Sequence, residues 1–356
     1  LNFDDYNKLS PTSQEDYINS GGVVEYPTAE QKEMVSDLHA EARKSAEPLE
    51  SFAPEDDLSH SITSVEPQMG TSLSEVKESA DSPSASYIDG FDIKDPLELV
   101  ILLDDDIRTG KITLHPWQIQ FLIDFSNPAN IAQFPFQALM RACNGSGKDK
   151  YILAPCAVWL NMRYRKARGV VTSSSGVQLD NQTCAYITLL CNEANRKWGN
   201  IWKCNYRYYE CLPTEAPIIC YATDEPGKAE GFHPLEAGAR MGIYMSEDKT
   251  IPDEINTAIN RCSGYTHRIH VSTPGDTSGH FFDLCSTAVS RKEIKNVKEV
   301  RPEDYIQYVV TYKECPHIPE SDYRRTIRNT PGGENSSVIK SQFFAEFGTT
   351  GEMVVI

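Results

Sequence analysis

From about residue 91 onward the apolar positions follow two alternating rhythms. Short runs are dense in β-branched and aromatic residues, and longer stretches carry apolar residues three and four apart. The second rhythm predicts helices over 95–106, 116–126, 148–164, 176–197, 252–261 and 279–287, and the first predicts strands over 136–141, 169–173, 203–211, 217–223, 241–246 and 267–272. Strands alternating with helices over such a length predict an α/β domain with a mostly parallel central sheet flanked by helices. Pro155 falls inside the helix expected over 148–164 and should kink it. No internal repeat is evident.

Residues 1–91 read differently. Ser, Pro, Glu and Asp cluster there, as in Ala53-Pro-Glu-Asp-Asp57 and Ser82-Pro-Ser84, with few aromatics to seed a core. One capping-box pattern, Thr28-Ala-Glu-Gln31, is followed by Met34, Leu38 and Ala42 and predicts a helix over 29–46. The 356-residue chain has a net charge of -17, but residues 1–90 alone hold 19 acidic and 5 basic side chains, leaving 32 and 29 for the rest. The acidity therefore belongs to the arm, and a nearly neutral body can still grip a polyanion through a local basic patch. Ten cysteines lie between Cys143 and Cys315 with no pair at the two-residue spacing of a zinc ribbon. They are expected to be free thiols of an intracellular protein. No apolar run approaches the roughly 20 residues of a membrane span. Leu1 at the start and the apolar Met353-Val-Val-Ile356 at the finish look like cuts in a longer protein.

The segment Phe136-Gln-Ala-Leu-Met-Arg-Ala-Cys-Asn-Gly-Ser-Gly-Lys-Asp149 carries the strongest chemical signal. A strand, a loop of small residues and a helix start supply backbone N–H groups that can wrap an anion, and Lys148 can reach outer phosphates. The segment departs from the P-loop pattern at Ala142, where a Gly is usual, and at Asp149, where a metal-binding Ser or Thr is usual. Taken alone, Gly-Ser-Gly-Lys also reads as a tight turn capping a helix. Roughly 100 residues on, Met241-Gly-Ile-Tyr-Met-Ser-Glu-Asp248 is an apolar strand ending in acids, with Ser246 and Glu247 in the slots for a metal-binding carboxylate and a water-activating glutamate. The two departures are explicable together. A carboxylate at 149 and a hydroxyl at 246 exchange the usual ligands of a Mg²⁺–ATP site while keeping ligand count and charge. Pro116-Trp-Gln118 offers an amide suited to adenine, and His270-Val-Ser-Thr-Pro-Gly275 ends a strand in two hydroxyls able to sense a phosphate.

In this order the motifs resemble the large terminase subunit of tailed bacteriophages, the ATPase that packages the viral genome. The resemblance covers about 97–348 and includes Arg141–Asp149, Val171-Thr-Ser-Ser-Ser175, Gly227-Lys-Ala-Glu-Gly-Phe-His233, Ser246-Glu247, Ser272-Thr-Pro274 and Gly279-His-Phe281. It implies a P-loop NTPase fold of the RecA-like, ASCE type over 92–348, after the acidic arm of 1–91, with 349–356 beginning a linker or a further domain. By resemblance the nucleotide-binding residues are Gln118, at the adenine, and Arg141, Ala142, Cys143, Asn144, Gly145, Ser146, Gly147, Lys148 and Asp149. Glu247 is then the catalytic carboxylate, Arg141 an arginine acting in cis, Asp149 and Ser246 the metal ligands, and Ser272 and Thr273 the coupling motif.

The implied activity is ATP hydrolysis with Mg²⁺, driving double-stranded DNA into a procapsid. The implied partners are the portal protein, the small terminase subunit and further copies in a ring, pentameric by expectation, with no membrane. The implied place is the portal vertex in the host cytoplasm. The nuclease that follows in the family's full-length proteins is not expected here, because no acid cluster follows Phe343-Phe-Ala-Glu-Phe-Gly348. Basic runs at Arg163–Arg168, Arg196-Lys197, Lys203–Arg207 and Arg324–Arg328 suit phosphate contacts of a motor that ignores base sequence. A helicase-like or remodelling DNA-dependent ATPase and a non-hydrolysing nucleotide-binding structural protein are the competing readings.

Overall fold

A computed structural model describes residues 90–126, 135–222, 231–294, 300–301 and 303–348. The helix expected over 29–46, the first residues of the Gly227–His233 motif and the segment 349–356 lie outside the described residues.

The body is a nine-stranded sheet. Its strands are β1 (Phe136–Ala142), β2 (Arg168–Ser173), β3 (Trp202–Asn205), β4 (Tyr208–Cys211), β5 (Ala216–Ala222), β6 (Met241–Ser246), β7 (His267–Ser272), β8 (Val289–Ser290) and β9 (Ile306–Val310), in spatial order β3-β4-β5-β2-β6-β7-β1-β9-β8. All pairings from β5 through β8 are parallel, and only β3 and β4 run antiparallel at one edge. Every residue of β6 and β7 is buried, as expected where helices cover both faces of a parallel sheet. Register aligns the carboxyl ends: Arg141 sits opposite Ser272, Ser246 opposite Val271, and Ser173 opposite Ser246. The ends of β1, β7 and β6 therefore open onto one crevice, where ligands of open α/β sheets bind.

The helices are α1 (Pro96–Leu103), α2 (Asp105–Arg108), α3 (Pro116–Ser126), α4 (Ala154–Arg163), α5 (Ala185–Trp198), α6 (Asp253–Ile259), α7 (His280–Thr287), α8 (Glu320–Asn329) and α9 (Ser337–Phe344). On one face of the sheet Phe125 of α3 meets Phe136 of β1 and Trp159 of α4 edge-on, with ring centroids 5.8 Å apart in both pairs. On the other, Leu139 packs against Phe281 and Cys285 of α7. All ten cysteines are free, and Cys204 alone is not buried.

Three expectations are corrected. The helix expected over 95–106 is broken at Asp104, whose extended backbone ends α1 and whose carboxylate accepts from the N–H groups of Asp106 and Ile107 to start α2. The single strand expected over 203–211 is a hairpin turning at Tyr206 and Arg207. Arg207 takes φ +55, and Asp180 holds its guanidinium at 2.7 Å. Thirdly, the kink at Pro155 takes the form of a π-helical turn over Asp149–Leu153, in which the N–H of Ala154 bonds to the carbonyl of Asp149. Pro155 then stands in the first turn of α4, where its missing N–H is harmless. β8, β9, α8 and α9 were not foreseen; β9 pairs with β1 and completes the sheet beyond the P-loop strand.

Candidate functional site

The loop after β1 is shaped by Gly145 (φ +73) and Gly147 (φ +83), a left-handed geometry that favours glycine. A Cβ at Gly147 would stand 2.9 Å from the Tyr151 ring and 3.3 Å from Nε2 of Gln118. Ser146 Oγ is buried and has no hydrogen-bond partner among the described residues. Lys148, at the far side of the loop, extends to Glu247, with Nζ 2.6 Å from Oε1 and both side chains nearly buried. Burial alone would lower the lysine's pKa, but the charges of Glu247 and Asp149 outweigh it and the net shift is upward. Lys148 therefore remains a cation. Glu247 is placed there by a left-handed backbone, φ +51, at the end of β6.

Beside this ion pair lies a second junction. Asp149 Oδ1 accepts from Ser246 Oγ at 2.6 Å and from Thr183 Oγ1 at 3.0 Å, and all three residues are buried. Asp149 and Ser246, the two positions at which the usual ligand types are exchanged, thus touch each other. Their oxygen donors are of the kind that suits Mg²⁺. Thr183, on the wide turn Leu179–Cys184 leading into α5, was not foreseen, and nothing in the sequence connects it to position 149.

β7 links the two halves. Ser272 Oγ lies 3.5 Å from Glu247 Oε2 and accepts the N–H of Lys249 at 3.2 Å, while Thr273 Oγ1 donates to Asn144 Oδ1 at 2.8 Å. The expected coupling residues therefore span from the candidate base to the P-loop. Cys143 and Ala142 lie against β9: the Cys143 N–H bonds to the carbonyl of Val310, and its sulfur is 3.9 Å from that of Cys315. Behind Glu247, Asp248 Oδ2 pairs with His270 Nδ1 at 3.0 Å and Arg268 Nε donates to His270 Nε2 at 3.1 Å. The acid pair was visible in sequence, but only strand pairing brings His270 to it.

Of two further expected residues, Arg141 turns away from the Lys148–Glu247 pair and Gln118 lies against the P-loop. Arg141 places its guanidinium over the Phe347 ring, 5.3 Å from its centroid, on the β1 face shared with Leu139. No hydrogen bond joins it to Lys148 or Glu247 among the described residues. Gln118 is buried with both ends of its amide engaged, Oε1 with the N–H of His115 at 2.8 Å and Nε2 with the carbonyl of Ser146 at 3.3 Å. The basic runs are largely paired with acids: Arg165 and Lys166 with Glu215, Arg207 with Asp180, Arg324 with Glu320, and Arg325 with Asp322.

No protein-family profile and no curated protein matches the sequence. The fold is matched by the HK97 bacteriophage large terminase, with TM-score 0.51 and 12% identity over 71% of this chain and 55% of that one. The ATPase domain of the Thermus phage P74-26 large terminase aligns with TM-score 0.46 and 14% identity over 69% of this chain and 98% of that domain. The large terminase of a thermophilic bacteriophage in complex with ADP aligns with TM-score 0.47 and 9% identity over 66% of this chain and 54% of that one. The chain spans about half the length of the whole large terminases it matches. The mostly parallel sheet flanked by helices is the fold that this chain shares with the HK97 large terminase.

Proposed function

We propose that this chain is the ATP-hydrolysing part of a motor that moves double-stranded viral DNA into a procapsid. The observation that carries the reading is the 2.6 Å contact between the P-loop Lys148 and the strand-end Glu247. A phosphate-reaching cation and a water-activating base rarely meet by accident at the carboxyl ends of two parallel strands, β1 and β6, that flank β7. Incoming phosphates draw Lys148 to themselves, and Glu247, released from its partner, turns to accept a proton from the attacking water. Ser272 lies near the same carboxylate, and Thr273 holds Asn144, so movement of Glu247 is passed to the P-loop through β7.

Asp149 and Ser246, with Thr183 adjoining, would hold Mg²⁺, which when bound neutralises charge on the outer phosphates. The motor works as a ring of copies at the portal vertex in the host cytoplasm, with the portal protein, the small terminase subunit and duplex DNA as partners. No helix among the described residues is long and apolar enough to cross a membrane. Purified protein should hydrolyse ATP, with turnover raised by duplex DNA. Nucleotide binding without hydrolysis would favour the structural alternative, and activity coupled to strand separation the helicase alternative.

A further inference from the structure

Two consecutive carbonyls of the P-loop are gripped from outside by side chains that the sequence places far apart. Gly145 O accepts from His317 Nε2 at 2.7 Å, and Ser146 O accepts from Gln118 Nε2 at 3.3 Å. The grips are joined at their backs. His115 Nε2 lies 2.7 Å from His317 Nδ1, the two imidazoles stack with centroids 4.9 Å apart, and the N–H of His115 caps Gln118 Oε1 at 2.8 Å. The bonds close a ring running His115, Gln118, P-loop, His317 and back to His115.

The ring fixes the tautomers. Gly145 O can only accept, so His317 donates from Nε2; in the neutral ring Nδ1 then accepts and His115 donates from Nε2. It also fixes the peptide planes. In a trans peptide the carbonyl of one residue and the N–H of the next point in opposite directions. Holding the carbonyls of Gly145 and Ser146 toward His317 and Gln118 therefore turns the N–H groups of Ser146 and Gly147 to the opposite side of the loop, where consecutive amides can receive an anion. Pro316 and Pro319 flank His317 and stiffen the segment that presents it, and a Cβ placed at Gly145 would stand 3.9 Å from Cδ1 of Ile318.

We propose that His317, acting with His115 and Gln118, is a positioning residue that presets the P-loop to bind triphosphate. The inference rests on the reading of this loop as a nucleotide site. It makes the grip indifferent to the nucleobase, because the carbonyls it holds belong to the phosphate-binding backbone.

The test compares wild type, His317→Phe and His317→Gln for binding of ATP and of inorganic tripolyphosphate, with ATP kinetics and melting temperature alongside. Phe keeps the stacked ring and removes the donor, whereas Gln places an amide N–H close to where Nε2 stood. The expected result is that His317→Phe weakens ATP and tripolyphosphate by the same factor, roughly tenfold, equivalent to about 1.4 kcal/mol. KM should rise while kcat at saturation stays within about twofold, and His317→Gln should restore most of the affinity at an unchanged melting temperature. Unchanged affinity in His317→Phe, a loss confined to ATP, or a fall in kcat without a rise in KM would overturn the inference. Wild-type protein that binds neither ligand would overturn the nucleotide-site reading itself, and the inference with it.

Discussion

Lys148, Glu247, Asp149 and Ser246 divide into two contacts, and each makes its own prediction. Lys148→Ala removes the cation that the phosphates recruit, so nucleotide binding should be lost in an equilibrium titration while the melt remains cooperative. Glu247→Gln keeps a polar partner near Lys148 but cannot take a proton. It should bind ATP and hydrolyse it roughly 10² to 10⁴ times more slowly; if Asp248→Asn does this instead, the base is the acid that His270 holds. The hydroxyl and carboxylate joined at 2.6 Å are a coupled pair. Asp149→Ala should therefore weaken Mg²⁺-dependent turnover more than Ser246→Ala, and the exchange Asp149→Ser with Ser246→Asp should recover much of what either single change loses. Mg²⁺-titrated hydrolysis by the variants decides this, since strictly additive losses would mean that the two residues act independently.

Buried polar junctions add to the apolar packing between elements, and one of them joins α3 to β9. Asp124 of α3 accepts from Arg291 Nε at 2.7 Å and from the Tyr308 hydroxyl at 2.6 Å, all three being buried. Removing the arginine leaves a carboxylate in a low-dielectric interior short of its countercharge. Arg291→Met should cost about 3–5 kcal/mol in denaturant unfolding. By contrast, Arg165→Ala removes an exposed pair with Glu215, at 2.7 Å, and should leave the unfolding midpoint nearly unchanged. Since α3 also carries Gln118 and β9 lies against β1, loosening this junction should raise KM for ATP as well, a secondary effect measurable in the same preparation.

At the scale of the whole molecule, buried histidines set the response to acid. Burial holds His267 down to about 3 and His115 down to about 4, and it lowers His270 despite the opposing charge of Asp248. The unfolded chain protonates these rings near the ordinary value of about 6.5. The folded state thus binds fewer protons below that point. Stability that is complete above about pH 6.5 is lost as pH falls toward 3, at up to about 1.4 kcal/mol per pH unit for each fully suppressed ring. Asp95 and Glu98, whose carboxyl pKa values burial raises, work in the opposite direction. His267→Gln should flatten the fall of melting temperature between pH 6.5 and 4.5. A protein shortened to begin just before Gly90 should retain ATP hydrolysis, because its first residues then keep the bond from the Phe91 N–H to the carbonyl of Met162 and the packing of Phe91 on Trp198.

What could be read without coordinates was whatever is local in the chain. Strands β6 and β7 and helix α3 have the bounds their apolar patterns predict, since fully buried parallel strands and a helix opening on Pro116 are written in consecutive residues. The small-residue loop, Lys148 and the strand-end acids were equally legible, each being a contiguous motif. The Asp104 break and the hairpin at Arg207 were less so, because a side chain decides each one: the Asp104 carboxylate caps α2, and Asp180 pins Arg207. Only the tertiary structure could bring Thr183 and Ser246 to Asp149, seat His270 against Asp248, turn Arg141 toward Phe347 and close the ring from His115 to His317. Those contacts join residues up to 206 positions apart, from Arg141 to Phe347. Strand order and register decide them, because parallel pairing aligns the carboxyl ends of strands whose sequences carry no mark of one another.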